Sequence, residues 1–165
     1  MLRIRGLKWK QMSERTLLPL LLCGVFAFGA DYDGPRPPKP DLVYLVHADN
    51  LIPTELGDAK NEKGDTYTVA GAASSARTPL AEPILILQSE RVNPESIELY
   101  RFEVKNGHRE TTVSSRKRGA GRPLHLQVTK LDRNLYRIEA AETLDNGEYC
   151  LTPAGSGRVF CFEVY

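Results

Sequence analysis

The sequence consists of short apolar segments separated by turn-forming residues, and this pattern constrains the fold more than any other feature. After residue 30, no segment sustains the period of an amphipathic helix for three turns. Segments rich in β-branched and aromatic residues recur instead, with turn signals about every 8 to 12 residues. The pattern predicts an all-β fold, a single β-sandwich of about seven to eight antiparallel strands.

The strand signals are clearest where apolar residues alternate with polar ones or run together. Strands are predicted at 42–47, 66–70, 84–88, 97–104, 108–113, 124–128, 135–140, 148–152 and 159–165. The fourth and fifth form the clearest hairpin, because Asn106-Gly107 between them suits a type I′ turn, which needs positive φ at both central positions. Residues 93–96 are expected to form either a turn or a single helical turn, with Pro94 at the first position after an Asn93 cap. The polar stretch 57–65 is predicted to be a mobile loop.

The N-terminal segment has the three parts of a secretory signal peptide. Basic residues precede the apolar run 17–28, which is shorter than the about 20 residues that span a bilayer. Ala27 at −3 and Gly29 at −1 predict cleavage after residue 29. Either Met1 or Met12 can serve as the start. The alternative is a buried core helix, and the order basic, apolar, small and proline-rich argues against it.

Cleavage there divides the chain into a signal peptide (1–29), a linker (30–40) and a β-sandwich domain (41–165). The linker holds four prolines and no apolar periodicity, which predicts an extended, semi-rigid spacer. Cys23 in the apolar run raises the alternative of a lipid anchor. The residue before it is Leu22, whereas lipidation needs a small residue there, so we favour removal of Cys23 with the signal.

The charge of the chain is concentrated at its N-terminus. Beyond residue 30 there are 17 basic and 20 acidic residues, a net charge of −3, which gives no reason to expect nucleic-acid binding. A candidate anion-binding loop carries Arg116, Lys117, Arg118 and Arg122. No aromatic residues are interleaved for base stacking. The alternative is a solvated loop that keeps the sheet edges soluble.

Cys150 and Cys161 remain after the signal, and an oxidising compartment favours a disulfide between them. A two-residue turn at Gly155-Ser156 sets the two cysteines directly opposite each other on adjacent strands. They then form a hydrogen-bonded pair with Cα atoms about 5.5 Å apart. Their face also carries two glutamates, so we expect it to be the more exposed face. Two free thiols facing solvent are the alternative.

The segment Leu144–Cys150 (LDNGEYC) resembles the tyrosine corner of immunoglobulin-like domains, whose pattern is Asp-x-Gly-x-Tyr-x-Cys. Asp145, Gly147 and Tyr149 occupy the matching positions. The resemblance implies an immunoglobulin-like sandwich in which the Tyr149 hydroxyl bonds to the backbone just upstream. The cysteine follows the tyrosine by one residue instead of two, which departs from antibody-type domains. The last hairpin also resembles that of uncharacterised exported bacterial proteins.

Side chains with catalytic or metal-binding chemistry are scattered along the sequence. His47, His108 and His125 are isolated, whereas zinc ligands cluster at tight spacing. His47 and Asp49 at a strand end are the strongest metal candidate, and we favour a hydrogen-bonded loop histidine instead. The Gly-x-Ser-x-Gly nucleophile elbow and the glycine-rich phosphate loop are absent from the sequence. We therefore expect no catalytic residues, no cofactor and no bound metal.

These features predict an exported, non-catalytic β-sandwich of immunoglobulin-like type, without a transmembrane span once the signal is removed. We expect it in the periplasm or outside the cell, as a binding or structural module whose partner is a protein or another envelope component. The first alternative is an accessory protein that binds an anionic surface or polyanion through residues 116–122. The second is a small metal-dependent enzyme.

Overall fold

A computed structural model describes residues 32–62, 65–113 and 121–165 of the chain. The expected signal segment, with Cys23, lies outside these residues. Within the described residues, thirteen strands form, together with one 3-10 turn at Pro94–Ser96, where the Asn93 side chain accepts a hydrogen bond from the Glu95 N–H. The strands are β1 (Val43–His47), β2 (Asn50–Pro53), β3 (Glu55–Asp58), β4 (Lys60–Glu62), β5 (Thr66–Ala70), β6 (Arg77–Thr78), β7 (Leu85–Gln88), β8 (Ile97–Lys105), β9 (His108–Thr112), β10 (Leu126–Asp132), β11 (Leu135–Ala140), β12 (Gly147–Pro153) and β13 (Arg158–Val164).

The strands form two sheets. The five-stranded sheet has the order β10-β11-β7-β1-β2 and is antiparallel. The eight-stranded sheet has the order β3-β13-β12-β8-β9-β5-β4, and the short strand β6 pairs parallel to β13 beyond the end of β3. The all-β class is confirmed. The strand count exceeds the expected seven to eight. Nine of the strands overlap the nine predicted segments, and the other four, β2, β3, β4 and β6, are short and form through pairing with neighbours rather than through an apolar pattern of their own.

The two sheets pack face to face over one apolar cluster, which makes the domain a β-sandwich. Val43, Leu85 and Ile138 from the five-stranded sheet meet Leu151 and Phe160 from the eight-stranded sheet, and all five are buried. Alternation along each strand sends these residues to one side. We call this cluster the inter-sheet core.

The eight-stranded sheet curves so strongly that β5, near one end of the strand order, faces β3 at the other end. Gly57 on β3 faces both Val159 and Val69, so that a Cβ at this glycine would lie 3.5 Å from Val159 Cγ2 and 3.8 Å from Val69 Cγ1. The Ala59 N–H also donates to the Gly157 carbonyl oxygen at 2.7 Å. Strands β3 and β5 thus face each other across the inside of the curve. We call the curved part, from β3 through β13, β12, β8 and β9 to β5, the rolled sheet.

Of two local predictions, one is confirmed and the other is wrong. The hairpin of β8 and β9 turns at Asn106-Gly107 with φ values of 50° and 80°, which confirms the type I′ prediction. The prediction of a mobile loop over 57–65 is wrong for the described residues, since Glu55–Asp58 and Lys60–Glu62 are strands. Pairing with β13 and β5 orders this polar stretch, and its own composition carries no signal for that pairing.

The segment 32–40 before β1 contains no regular secondary structure. Its Pro37 is buried, and its Arg36 forms an ion pair with Asp132 at 2.6 Å. Asp41 follows it and is buried. The Asp41 carboxylate accepts hydrogen bonds from the backbone N–H groups of Glu90, Arg91 and Val92, at 2.9 to 3.1 Å, and another from the Arg91 side chain. These bonds fasten the start of the domain to the turn after β7.

Candidate functional site

A cavity of about 410 Å³ opens inside the rolled sheet. One wall comes from β8 and β12, and the facing wall comes from β5 and β9. The loop 154–157, between β12 and β13, borders the opening. The apolar and aromatic lining of the cavity includes Tyr67, Tyr100, Phe102, Val113 and Val159. The polar lining of the cavity includes Asn61, Glu98, Thr111 and Thr152.

The cavity exists because β9 leaves β8 soon after their common turn. The two strands pair only from Glu103 to Lys105 on β8, whereas β9 follows β5 along its whole length. Beyond Glu103, β8 pairs on the other side with β12. The strands therefore separate, and space opens between the side chains that each turns inward.

The polar groups of the β8 wall are arranged as a pair. The Tyr100 hydroxyl donates a hydrogen bond to Glu98 Oε2 at 2.9 Å. Burial, followed by this bond to a carboxylate, raises the pKa of Tyr100 well above its usual value. The hydroxyl therefore stays protonated at neutral pH. In the part of the chain that the structure describes, the second oxygen of Glu98 has no hydrogen-bond partner, so it can accept a hydrogen bond from a ligand.

The disulfide between Cys150 and Cys161 lies beneath the cavity, and Cys150 is part of its lining. The register of β12 and β13 is the predicted one, with the two cysteines directly opposite. The expected exposure is wrong, because both cysteines are completely buried. They pack with Val69, Tyr100 and Phe102 inside the rolled sheet, which covers the face that sequence alone suggested was open.

The turn between the cysteine strands also differs from the prediction. Strand β12 continues to Pro153 and β13 begins at Arg158, so the connection has four residues instead of two, with Gly155 at a φ of +74°. The cysteine Cα atoms lie 4.0 Å apart. This is near the shorter spacing of a non-hydrogen-bonded pair, in place of the expected 5.5 Å. Because the turn is two residues longer than expected, the same residues remain opposite each other. The hydrogen-bonded pairs of the expected hairpin, however, become non-hydrogen-bonded pairs, and the reverse.

A fully buried guanidinium lies one layer deeper than the cavity. Arg109 on β9 precedes Thr111 on the same face of the strand and has no solvent exposure. Its side chain donates to Glu55 on β3, to the Ser74 hydroxyl at 2.6 Å, and to the carbonyl oxygens of Ala70 and Gly71 at 2.6 and 3.1 Å. Every nitrogen of the guanidinium has an acceptor, so its burial is compensated.

Glu148 completes the ion cluster from β12. Its carboxylate lies 3.6 Å from the nearest Arg109 nitrogen, and it accepts hydrogen bonds from the backbone N–H and the hydroxyl of Ser74. The Ser75 N–H donates to the other carboxylate, Glu55, at 2.8 Å. The cluster of Arg109, Glu55 and Glu148 thus ties β9 to both β3 and β12, which holds the rolled sheet closed.

Sequence reasoning missed both the ion cluster and the cavity. The hairpin register, which pairs Val104 with Arg109, contained a signal. It places Arg109 on the face of the hairpin that also carries Tyr100 and Phe102, and an arginine among apolar residues indicates a buried partner. The cavity itself depends on where β9 leaves β8, for which no local signal exists.

The residues of the proposed corner lie close together at the start of β12. The Tyr149 hydroxyl donates to the Asp145 carbonyl oxygen at 2.8 Å, the kind of bond that the resemblance implied. Arg101 on β8 contacts Asp145 Oδ2 at 3.4 Å and the Asn146 carbonyl oxygen at 3.0 Å, next to Gly147. These contacts are on the inter-sheet side of β12 and away from the cavity.

The remaining sequence candidates are dispersed. His47 and Asp49 are exposed at the β1–β2 turn. Across 32–62, 65–113 and 121–165, no three histidine, cysteine or acidic side chains lie close enough to hold a metal ion. Within the same residues, no helix is long and apolar enough to cross a membrane. Arg122 is exposed, and Arg116, Lys117 and Arg118 lie outside the described part of the chain.

No protein-family model, curated protein or solved structure matches this chain.

Proposed function

We propose that the protein is an exported, non-catalytic binding module of the bacterial envelope, and that the cavity of the rolled sheet holds its ligand. The observation that carries the proposal is the lining of this cavity, an apolar and aromatic interior with a few polar groups, among them the Glu98–Tyr100 pair. Its volume of about 410 Å³ falls in the range of small-molecule sites, roughly 300 to 1,000 Å³.

The build of the site supports a binding role. The disulfide and the ion cluster of Arg109, Glu55 and Glu148 form its base. The disulfide holds β12 and β13 together, and the ion cluster holds β9 against β3 and β12. A rigid, preformed cavity loses little conformational entropy when a ligand enters. The disulfide and the signal-like residues 1–29 support export, since disulfides persist in oxidising compartments.

We further propose that the sandwich is of immunoglobulin-like type. The hydrogen bond from Tyr149 to the Asp145 carbonyl supports this assignment, because a tyrosine of that kind pins the start of the penultimate strand in such domains. Pairing of β12 with both β8 and β13 puts the tyrosine in the middle of a sheet, as the motif requires.

A cavity-filling substitution tests the binding role. Val113→Trp places an indole in the cavity, and Val104→Trp on the neighbouring strand is the matched control, because Val104 is half exposed and outside the cavity lining. Both variants and the natural protein are screened against a fragment library by ligand-observed NMR. We expect hits that compete with one another and are lost in Val113→Trp alone. A screen without hits, or hits that Val113→Trp retains, would contradict the proposal.

Export has its own test. Intact mass of protein recovered from the periplasm or medium of a bacterial host should correspond to a chain that starts at Ala30 and is two hydrogens lighter than the reduced form. Full-length protein found only in the cytosol would contradict export, and an added lipid mass would indicate anchoring through Cys23.

A further inference from the structure

We infer that the ligand of this cavity is a small organic cation, an amine or quaternary ammonium with an apolar body, an inference that rests on the binding role proposed above. The cavity lining contains the carboxylate of Glu98 and three aromatic rings, those of Tyr67, Tyr100 and Phe102. A negative charge close to several aromatic ring faces suits a ligand with a positive group on an apolar body.

The charge around the cavity favours a cation. Glu98 is the one charged residue in the lining contributed by the described residues. In the layer beneath, the single positive charge of Arg109 meets the two carboxylates of Glu55 and Glu148, so that the ion cluster keeps a net negative charge. A carboxylate or phosphate ligand would meet repulsion from both layers, whereas an ammonium is attracted by both.

The hydrogen-bonding capacity of Glu98 fits the same class. One carboxylate oxygen already accepts from the Tyr100 hydroxyl at 2.9 Å, which fixes the direction of the side chain. The other oxygen can accept a hydrogen bond from the N–H of a protonated amine, and it attracts a quaternary ammonium, which has no N–H, through its charge alone. The protonated Tyr100 hydroxyl uses its proton on Glu98, so it presents a ring face rather than a donor to the ligand.

The polar end and the apolar end of the ligand are assigned by position on the strands. Glu98 is opposite Thr152 on β12, nearer the loop 154–157 and the opening. Tyr100 is opposite Cys150, further inside, and Phe102 is deeper still. The cationic head therefore stays near the opening, where part of its hydration is kept, and the apolar body enters between Tyr100, Val159 and the disulfide.

Three probes of similar size separate charge from shape. Phenylbutylamine, phenylbutanol and phenylbutyrate each carry a phenyl ring on a chain of four carbons and differ in a positive, neutral or negative head. Each is titrated into the purified full chain at neutral pH by isothermal calorimetry. We expect the amine to bind about tenfold more tightly than the alcohol, and the carboxylate to bind more weakly than both.

Glu98→Gln keeps an oxygen that can accept from Tyr100, but it removes the charge and replaces the second acceptor oxygen by an NH2 group. It should bring the affinity for the amine to within about twofold of that for the alcohol, while binding of the alcohol is unchanged. The matched control is Glu103→Gln, an exposed carboxylate on the same strand that is paired with Lys105 and outside the cavity lining. It should leave the affinity for all three probes unchanged.

The outcomes separate this inference from the binding role. Equal affinity of the three probes, with loss of all binding in Val113→Trp, would overturn the cation and leave the cavity as a binding site. Preference for phenylbutyrate would do the same and would indicate a role for cations beyond the described residues. Absence of binding by all three probes, together with an empty fragment screen, would overturn both.

Discussion

The chain buries apolar side chains in two places that are built differently. The inter-sheet core consists of alternate residues of many strands, such as Leu45, Leu99 and Phe162, and its members are almost all aliphatic or aromatic. The interior of the rolled sheet contains fewer apolar side chains and adds a disulfide, a buried guanidinium and two carboxylates. The first core needs only strand alternation, whereas the second depends on specific pairs that close a curved sheet and leave a cavity beside them.

The largest expected effect is on the free energy of unfolding, and it compares how tightly side chains pack in the two regions. Phe160→Ala in the inter-sheet core should lower the free energy of unfolding by roughly 3 to 5 kcal/mol, because it leaves a void in a closed apolar cluster. Phe102→Ala should fall at or below the low end of that range, since Phe102 already borders open space. Chemical denaturation of both variants measures the difference. Equal losses would mean that the two regions are packed alike.

Arg109→Met tests whether ions hold the rolled sheet closed. The substitution leaves Glu148 buried without its cation and should cost about 3 kcal/mol, as the loss of one partner of a buried ion pair does. Arg101→Met is the matched control, because the Arg101–Asp145 pair is exposed and should contribute less than about 1 kcal/mol. If Arg109→Met were as mild as the control, the ion cluster would not be what closes the sheet.

The disulfide should contribute slightly less than the ion cluster. Replacing Cys150 and Cys161 together by alanine opens a loop with a sequence separation of 11 and should lower the free energy of unfolding by about 2 to 3 kcal/mol. We expect this variant to bind cavity probes more weakly as well, because Cys150 lines the cavity. A thermal unfolding curve together with a probe titration checks both. Loss of stability with unchanged binding would show that the disulfide does not shape the cavity.

The same difference between the two regions explains which parts of the fold could be predicted from the sequence. The inter-sheet core follows the two-residue period, so the inward positions of β8 and β12, such as Leu99 and Leu151, are readable from the sequence. The Asn106-Gly107 turn and the cysteine register are also local features, which is why they were predictable.

The closure of the rolled sheet could not be predicted from such local features. Glu148 looks like a solvated residue from its neighbours in sequence, and its true partners, Arg109 and Ser74, are distant along the chain. The face with the cysteines was therefore expected to be exposed. The closing strand β3 has only four residues and an exposed leucine, Leu56, and it is ordered by the partners that it meets in the fold.

The smallest expected effect concerns a carboxylate held by the backbone rather than by a buried cation. Burial alone would raise the pKa of Asp41, but the N–H groups of Arg91, Glu90 and Val92 and the Arg91 side chain outweigh it and hold this pKa well below its usual range. A carboxyl with a lowered pKa in the folded state stabilises the fold fully above its unfolded pKa of about 3.9, and this contribution is lost as the pH falls further. Asp41→Asn keeps one acceptor for the N–H groups and should cost about 1.5 kcal/mol at pH 7. Denaturation at pH 7 and pH 3 should show a smaller acid-induced loss in Asp41→Asn than in the natural protein, and equal acid-induced losses would mean that Asp41 is not the group that titrates.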